Sequence, residues 1–247
     1  MKKIKNPESF SADKLSSIIN QYGIFIVDSY LSKEELTLLN KEAKEYHKSI
    51  GKSYQFGTTY GIEIVKDINE ESQHYKTFSK PWMKELFLNL NSNNQKGFFT
   101  SIYSTHDFKY DGSVGRNGYL HFDRNRSLKF FFYLNDVTEK NAAFYIQEDS
   151  HHLGKKLREN AWGNLIPTPS DNLSKKILHK LFGKPFEKIK NRIELDYPEH
   201  MVPNKVIPVE GKAGTLIVFD SDIFHKGGLI QKEGLERLVL RMHSYLS

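Results

Sequence analysis

Three side chains able to bind a metal stand at two distant places in this chain, and bringing them together limits the folds open to it. The first place is His121-Phe122-Asp123 and the second, far downstream, is Phe224-His225. Residues two apart on a strand point to the same side, so His121 and Asp123 can grip one ion from a single strand end. His225 must then arrive on another strand lying alongside, as a jelly roll allows. Two imidazoles and one carboxylate form the facial set that holds non-haem Fe(II) and leaves coordination positions open, although Zn, Mn and Co also bind such a set. Taken alone, H-x-D is frequent, and a surface histidine beside a loop aspartate explains most instances. Twelve residues past His225 stands Arg237, whose planar fork pairs with a carboxylate at two points and suits a carboxylate-bearing cosubstrate.

The pattern along the chain places helices first and strands after. Ser11 opens a helical stripe of Leu15, Ile18, Ile19 and Tyr22 that Gly23 stops. Ile24 to Val27 reads as a short buried strand. Ser32 and Glu35 form a capping box before Leu36, Leu39 and Ala43, giving a second helix to about Tyr46. Residues 50–80 are polar and mixed, and Trp82 to Leu90 suggests a further helix. From Gly97 on, the segments 98–103, 119–122, 129–134, 142–147, 206–209, 215–219 and 235–245 are strand-like. This order predicts an α+β fold with a closed or double-sheet β core and N-terminal helices, in a single domain over residues 1–247. Residues 155–200 interrupt the strands with a helical insertion, its apolar stripe at Leu173, Ile177, Leu178 and Leu181. Such an insertion either covers a site as a lid or is a solvated excursion.

Composition narrows the class. An apolar share of 38% and an aromatic share of 13% are globular values. The absence of cysteine excludes disulfides, thiol nucleophiles and Cys-ligated metal, and fits a cytoplasmic protein. The basic opening Met1-Lys2-Lys3 has no apolar run behind it, so no signal peptide is expected, and no segment is long and apolar enough to span a membrane. The net charge is +6, and residues 151–200 hold ten Lys/Arg against six Asp/Glu. A basic balance attracts anionic partners or simply keeps a lysine-rich surface solvated, and composition alone favours the second.

Four stretches together resemble the phytanoyl-CoA dioxygenase-like family of Fe(II)/2-oxoglutarate-dependent oxygenases. They are Tyr22 to Leu36, the motif His121-Phe122-Asp123, Leu128 to His151 with its Glu148-Asp149-Ser150-His151 ending, and Gly211 to Asp220 followed by Phe224-His225-Lys226-Gly227-Gly228 and Arg237. The resemblance spans nearly the whole chain, with 155–200 as the divergent part. Two departures stand out. Ala142 occupies the place of the family's glycine after a turn, and Glu148-Asp149 replaces its Pro-Gly. The family's basic residue on the strand before the first metal motif has no match between Tyr103 and Asp107.

The resemblance implies a double-stranded β-helix (jelly-roll, cupin-like) core in which His121, Asp123 and His225 hold Fe(II). It also implies 2-oxoglutarate and dioxygen as cosubstrates and hydroxylation of a small-molecule prime substrate with release of succinate and CO2. Arg237 would hold the far carboxylate of 2-oxoglutarate, with Arg241, on the same strand face, as the second candidate. Related halogenases lack the carboxylate ligand, so Asp123 favours hydroxylation. His151 and His152 are candidates for ordering the wall of the metal site. The prime substrate is expected to be anionic if the lysines of the insertion face the entrance. Two other classes fit the residues less fully: a cupin-like metalloenzyme that does not use 2-oxoglutarate, and a non-catalytic binding module. Nucleic-acid binding would need aromatics interleaved with Lys and Arg on one face, and residues 173–193 place their few aromatics at core spacing.

Overall fold

Helices in this protein start where the sequence supplies caps. The computed structural model describes residues 1–49, 54–56, 59–63, 70–99, 101–108, 110, 118–163 and 205–246. After β1 (Lys2–Lys3), helix α1 (Ala12–Tyr22) is capped by the Ser11 side chain, which accepts from the Lys14 N–H. It closes on Gly23 at φ 71°, a left-handed conformation that glycine adopts without penalty. β2 (Ile24–Val27) follows. The capping box then opens α2 (Lys33–Ser49): the Ser32 N–H donates to Glu35 Oε2 at 2.9 Å and the Glu35 N–H to Ser32 Oγ at 3.1 Å. Next come β3 (Tyr54–Phe56), β4 (Thr59–Glu63), α3 (Gln73–Phe78), α4 (Pro81–Leu90), β5 (Ser101–Asp107), β6 (Ser127–Tyr133) and β7 (Phe144–Gln147). The chain continues through α5 (His151–Gly163), β8 (Val206–Val209), β9 (Leu216–Asp220), β10 (His225–Lys226) and β11 (Arg237–Tyr245).

Several of these depart from the sequence reading. The strand expected from Phe98 begins only at Ser101, because Phe99 sits at φ 56° and breaks the extended backbone. The strand expected over 119–122 contracts to a single bridge at His121. Strands β1, β3 and β4 and helix α3 were not expected. The lysine-bearing stripe of residues 173–193 lies outside the described residues; of the insertion, the described part is residues 155–163 of α5.

One eight-stranded sheet runs in the order β1-β2-β9-β6-β11-β5-β4-β3, and all its pairs are antiparallel except β1 with β2. A smaller sheet, β10-β7-β8, faces it. Strand alternation gives the large sheet two apolar faces. Phe25, Leu128, Phe130, Phe132, Val218 and Leu240 pack outward beneath the helices, against Leu15, Ile19, Leu39, Trp82 and Phe87. Ile24, Ile26, Phe131, Tyr133, Ile217, Phe219 and Val239 point the other way, to Phe144, Ile146 and Val209 of the small sheet. The fold is α+β with a jelly-roll core, and the second apolar layer is the interior of the roll. No helix among the described residues is long and apolar enough to cross a membrane.

Helix α5 seats against the turn before β10 through Gly154, where an added Cβ would fall 1.8 Å from the Asp222 carbonyl oxygen. Propensity alone would make Gly154→Ala stabilising by about 1 kcal/mol in a helix. The backbone clash reverses the sign, and the variant should lose about 1–3 kcal/mol, as overpacked sites do. Urea unfolding decides it, and an unchanged or higher midpoint would show that α5 does not bear on this turn.

Candidate metal centre

The two distant motifs meet through their backbones. The His121 N–H donates to the His225 carbonyl at 3.0 Å, and the His225 N–H returns a bond to the His121 carbonyl at 2.7 Å. This reciprocal antiparallel bridge places the two imidazoles 4.5 Å apart between ring centroids. The Asp123 N–H donates to the Ser221 carbonyl at 3.1 Å, which brings the third ligand to the same end of the roll. One ligand atom each from His121, Asp123 and His225 then lies within 4.8 Å of the others. Behind β10, the Phe224 N–H donates to Ser150 Oγ at 2.8 Å and the Ser150 hydroxyl donates to the Gln147 carbonyl at 2.8 Å. Two ion pairs brace the 220–223 turn: Arg126 donates to Asp220 Oδ2 and Arg158 to both oxygens of Asp222.

The hydrogen bonds around the donor set leave the atoms that a divalent metal requires. His121 Nδ1 lies 2.7 Å from the Tyr119 carbonyl and His225 Nδ1 lies 2.8 Å from the Ile223 carbonyl. A carbonyl only accepts, so each ring carries a proton on Nδ1, which leaves Nε2 as the nitrogen free to ligate a metal. Burial, with help from the Lys129 ammonium and the His121 ring, holds the His225 pKa well below its ordinary value and keeps the ring neutral. Burial acts in the opposite sense on Asp123. The Lys129 ammonium overcomes it and holds the carboxyl well below the usual range, so Asp123 is ionised. Two imidazoles with Nδ1 bound to backbone carbonyls and one ionised carboxylate fit the facial set for Fe(II) or a similar dication.

Lys129 itself was missed in the sequence. It is 5% exposed, and its Nζ lies 2.6 Å from Asp123 Oδ2 and 3.3 Å from His225 Nε2. Its signal was present as parity. Lys129 shares a strand face with Phe131 and Tyr133, which line the roll interior, and it is the only charged residue of β6.

Arg237 stands elsewhere. Its Nε and Nη2 donate to Asp107 Oδ2 at 2.9 and 2.7 Å, directly across the β11–β5 register, and Nη1 donates to the Ala142 carbonyl. Lys129 pairs in register with His243 on β11, six residues beyond Arg237, which is about 20 Å of strand rise. Arg237 is thus committed to an ion pair at the opposite end of its strand from the metal ligands. Arg241 lies on the same face but only two residues from His243, and its guanidinium is held between the rings of Tyr103 at 5.4 Å and Phe131 at 5.5 Å. Burial first, then the cations Lys129 and Arg241, keep His243 well below its ordinary pKa. His151 does not reach the metal ligands: its Nε2 lies 3.0 Å from the Asn20 carbonyl and ties α5 to α1. Ser150, beside it, does the bracing expected of the histidines.

A model of the phytanoyl-CoA dioxygenase family matches residues 19–233 of the chain. The chain belongs to that family. No curated protein matches it by sequence. Among solved structures it is similar to the non-haem α-ketoglutarate-dependent epimerase SnoN from nogalamycin biosynthesis, with 13% identity and a TM-score of 0.60 over 98% of this chain and 84% of that one. It is also similar to HygX from Streptomyces hygroscopicus, solved with nickel, 2-oxoglutarate and hygromycin B, at 12% identity and a TM-score of 0.58 over 96% and 88% of the chains. The carbocyclase SnoK matches at 11% identity and a TM-score of 0.58 over 98% and 86%. At such identities these likenesses concern the fold.

Two outcomes follow for this member of the phytanoyl-CoA dioxygenase family. His121→Ala or His225→Ala should abolish Ni(II) binding in calorimetry, while His179→Ala and His200→Ala, outside the described residues, should retain it. The histidines also set a pH dependence. Unfolded histidine titrates near about 6.5, so below that pH the unfolded chain takes up protons that His225 and His243 refuse in the fold. Stability of the metal-free protein should be full above this pH and decline as pH falls. His243→Phe keeps a ring in place and should make the decline shallower in urea melts from about pH 7 to 5; an unchanged slope would mean that His243 is protonated in the folded protein.

Proposed function

We propose that this protein is an Fe(II)/2-oxoglutarate-dependent oxygenase that hydroxylates a small-molecule substrate and releases succinate and CO2. The observation that carries the reading is the convergence of two imidazoles and one carboxylate at one end of the roll, in a chain of the phytanoyl-CoA dioxygenase family. When bound, the metal and 2-oxoglutarate together supply dioxygen activation for attack on a C–H bond. SnoN has been solved with Fe3+ and α-ketoglutarate, and HygX with nickel and 2-oxoglutarate, which supports the same pair of ligands here.

The protein's own part is position and water exclusion. His121, Asp123 and His225 would hold the metal on one side. Phe131, Phe144 and Phe219 wall the interior beside His225, with Phe219 and Phe144 at 5.4 and 5.7 Å from its ring. The distal carboxylate of 2-oxoglutarate goes to Arg241 in this reading, because Arg237 is already paired with Asp107 and Arg241 lies four residues nearer to His243 along β11. Hydroxylation is favoured because Asp123 keeps the third protein ligand in place, whereas substrate geometry would select epimerisation or ring closure, the reactions named for SnoN and SnoK. A cleft of about 480 Å³ beside the site is lined by Arg124, Arg126, Lys155, Arg158 and Glu159; Arg126 and Arg158 are already paired with Asp220 and Asp222, so Arg124 and Lys155 are the cations that suit an acidic group on the substrate. The lack of cysteine suits a reducing cytoplasm.

Anaerobic addition of Fe(II) and then 2-oxoglutarate, followed by absorption spectroscopy and succinate release in air, tests the proposal. Metal binding without 2-oxoglutarate binding would favour a cupin-like enzyme, and no metal binding would favour a binding module. The two arginines separate further. Arg241→Ala should weaken 2-oxoglutarate binding by about 2–5 kcal/mol, as expected when a buried charge partner is removed. Arg237→Ala should instead cost about 3–5 kcal/mol of folding stability by leaving Asp107 buried without its cation. The reverse pattern would return the cosubstrate role to Arg237.

A further inference from the structure

The aromatic strand β6 carries a single charge, Lys129, and carries it inward. A lysine ammonium in a roll interior is costly unless matched. Here the match comes from the metal-binding carboxylate: Nζ is 2.6 Å from Asp123 Oδ2, a short charge-assisted hydrogen bond, while Phe219 lies 5.6 Å beneath the ammonium. The other carboxylate oxygen, Oδ1, faces His225 Nε2 at 3.6 Å. The two oxygens of Asp123 are therefore distinguished, one turned to the lysine and one to the histidine that shares its metal.

We propose that Lys129 is a positioning residue of the metal centre, which holds Asp123 by Oδ2 so that only Oδ1 ligates, and whose fixed charge biases the open coordination positions toward an anionic chelating cosubstrate. The inference rests on the proposed function. A chelating 2-oxo acid needs two adjacent positions on the metal, and a carboxylate free to rotate could fill one of them with its second oxygen. A hydrogen bond of 2.6 Å to Oδ2 opposes that rotation. The charges point the same way. A dication on two neutral imidazoles and one carboxylate carries a net single positive charge. The ammonium, 3.3 Å from His225 Nε2, raises it to two, which a dianion such as 2-oxoglutarate neutralises and a neutral chelator does not.

The test measures binding, not turnover. Ni(II)-loaded wild type, Lys129→Met, Lys129→Gln and Lys129→Arg are titrated with 2-oxoglutarate by calorimetry, with Lys212→Met, an exposed lysine, as control. Ni(II) affinity itself is measured on each metal-free protein. The expected result is at least a tenfold loss of 2-oxoglutarate affinity in the Met and Gln variants, near-wild-type affinity in the Arg variant and the control, and Ni(II) affinity that is equal or tighter in Met and Gln because a nearby cation is gone. A lysine that merely fills space predicts the opposite order, with Met, closest in shape and apolar, binding 2-oxoglutarate best and Arg worst. Equal affinity across the series, or that opposite order, overturns the proposal. If the Met variant does not fold, the Gln and Arg variants carry the same comparison. Failure of wild type to bind Ni(II) or 2-oxoglutarate would instead overturn the proposed function, so the two failures are separable.

Discussion

The site depends on one pair of backbone hydrogen bonds, the exchange between His121 and His225. In an antiparallel bridge of this kind the two residues face one another and their side chains leave on the same side. A slip of one residue on either segment would turn its ligands to the opposite face. Register is therefore the quantity the surrounding structure has to protect, and it does so from behind. Arg126 and Arg158 clamp Asp220 and Asp222, and Ser150 accepts the Phe224 N–H. Gly154 lets α5 come close enough for Arg158 to reach. None of these groups is among the ligands, yet together they fix where β10 begins.

The features legible in the sequence were those with local causes. The Ser11 and Ser32 caps and the Gly23 stop each act within four residues, and each is found as read. The convergence of His121, Asp123 and His225 was legible because strand parity ties His121 to Asp123 and because few folds can add a distant histidine. The partner of Arg237 is something that local pattern cannot supply: the arginine expected to hold 2-oxoglutarate is paired with Asp107. The distance from His225 to the arginine is set by the connection between β10 and β11, in which the chain runs beside β7 from Ile146 toward Asn141 before β11 turns back in the other sheet. Arg237 stands at the start of that return, as its bond to the Ala142 carbonyl shows, whereas Arg241 has returned most of the way.

The two departures from the family pattern have a common physical meaning. Ala142 has φ 68° and Asp149 has φ 56°, so both positions require the left-handed backbone in which glycine is unstrained. The backbone path has been kept while the residue suited to it has been replaced. At Asp149 a short polar side chain tolerates the conformation, and the next residue is Ser150, which braces Phe224. At Ala142 the carbonyl receives Arg237, so the constrained residue is held by the same guanidinium that neutralises Asp107. Retaining these turns without glycine is understandable if the turns are what hold the two ends of β7 in place.

Seen along its interior, the roll has two charged ends separated by rings. Arg237 with Asp107 occupies one and Lys129 with Asp123 the other, and Phe131 and Tyr133 lie on β6 between them. The far pair is satisfied by protein alone and is almost fully buried, so it closes the roll. The near pair differs, since Asp123 has a second oxygen and a neighbouring imidazole whose proton is tied to a backbone carbonyl. The same kind of ion pair therefore closes the roll at one end and lies in the candidate metal centre at the other. What separates them is that two histidines have been brought alongside only one of the two carboxylates. Arg241 stands between the ends, its guanidinium against Tyr103 and Phe131, one strand layer below the metal ligands. A dianion reaching from metal to Arg241 would follow the interior of the roll for that one layer and go no deeper, since Tyr133 and Val239 fill the next.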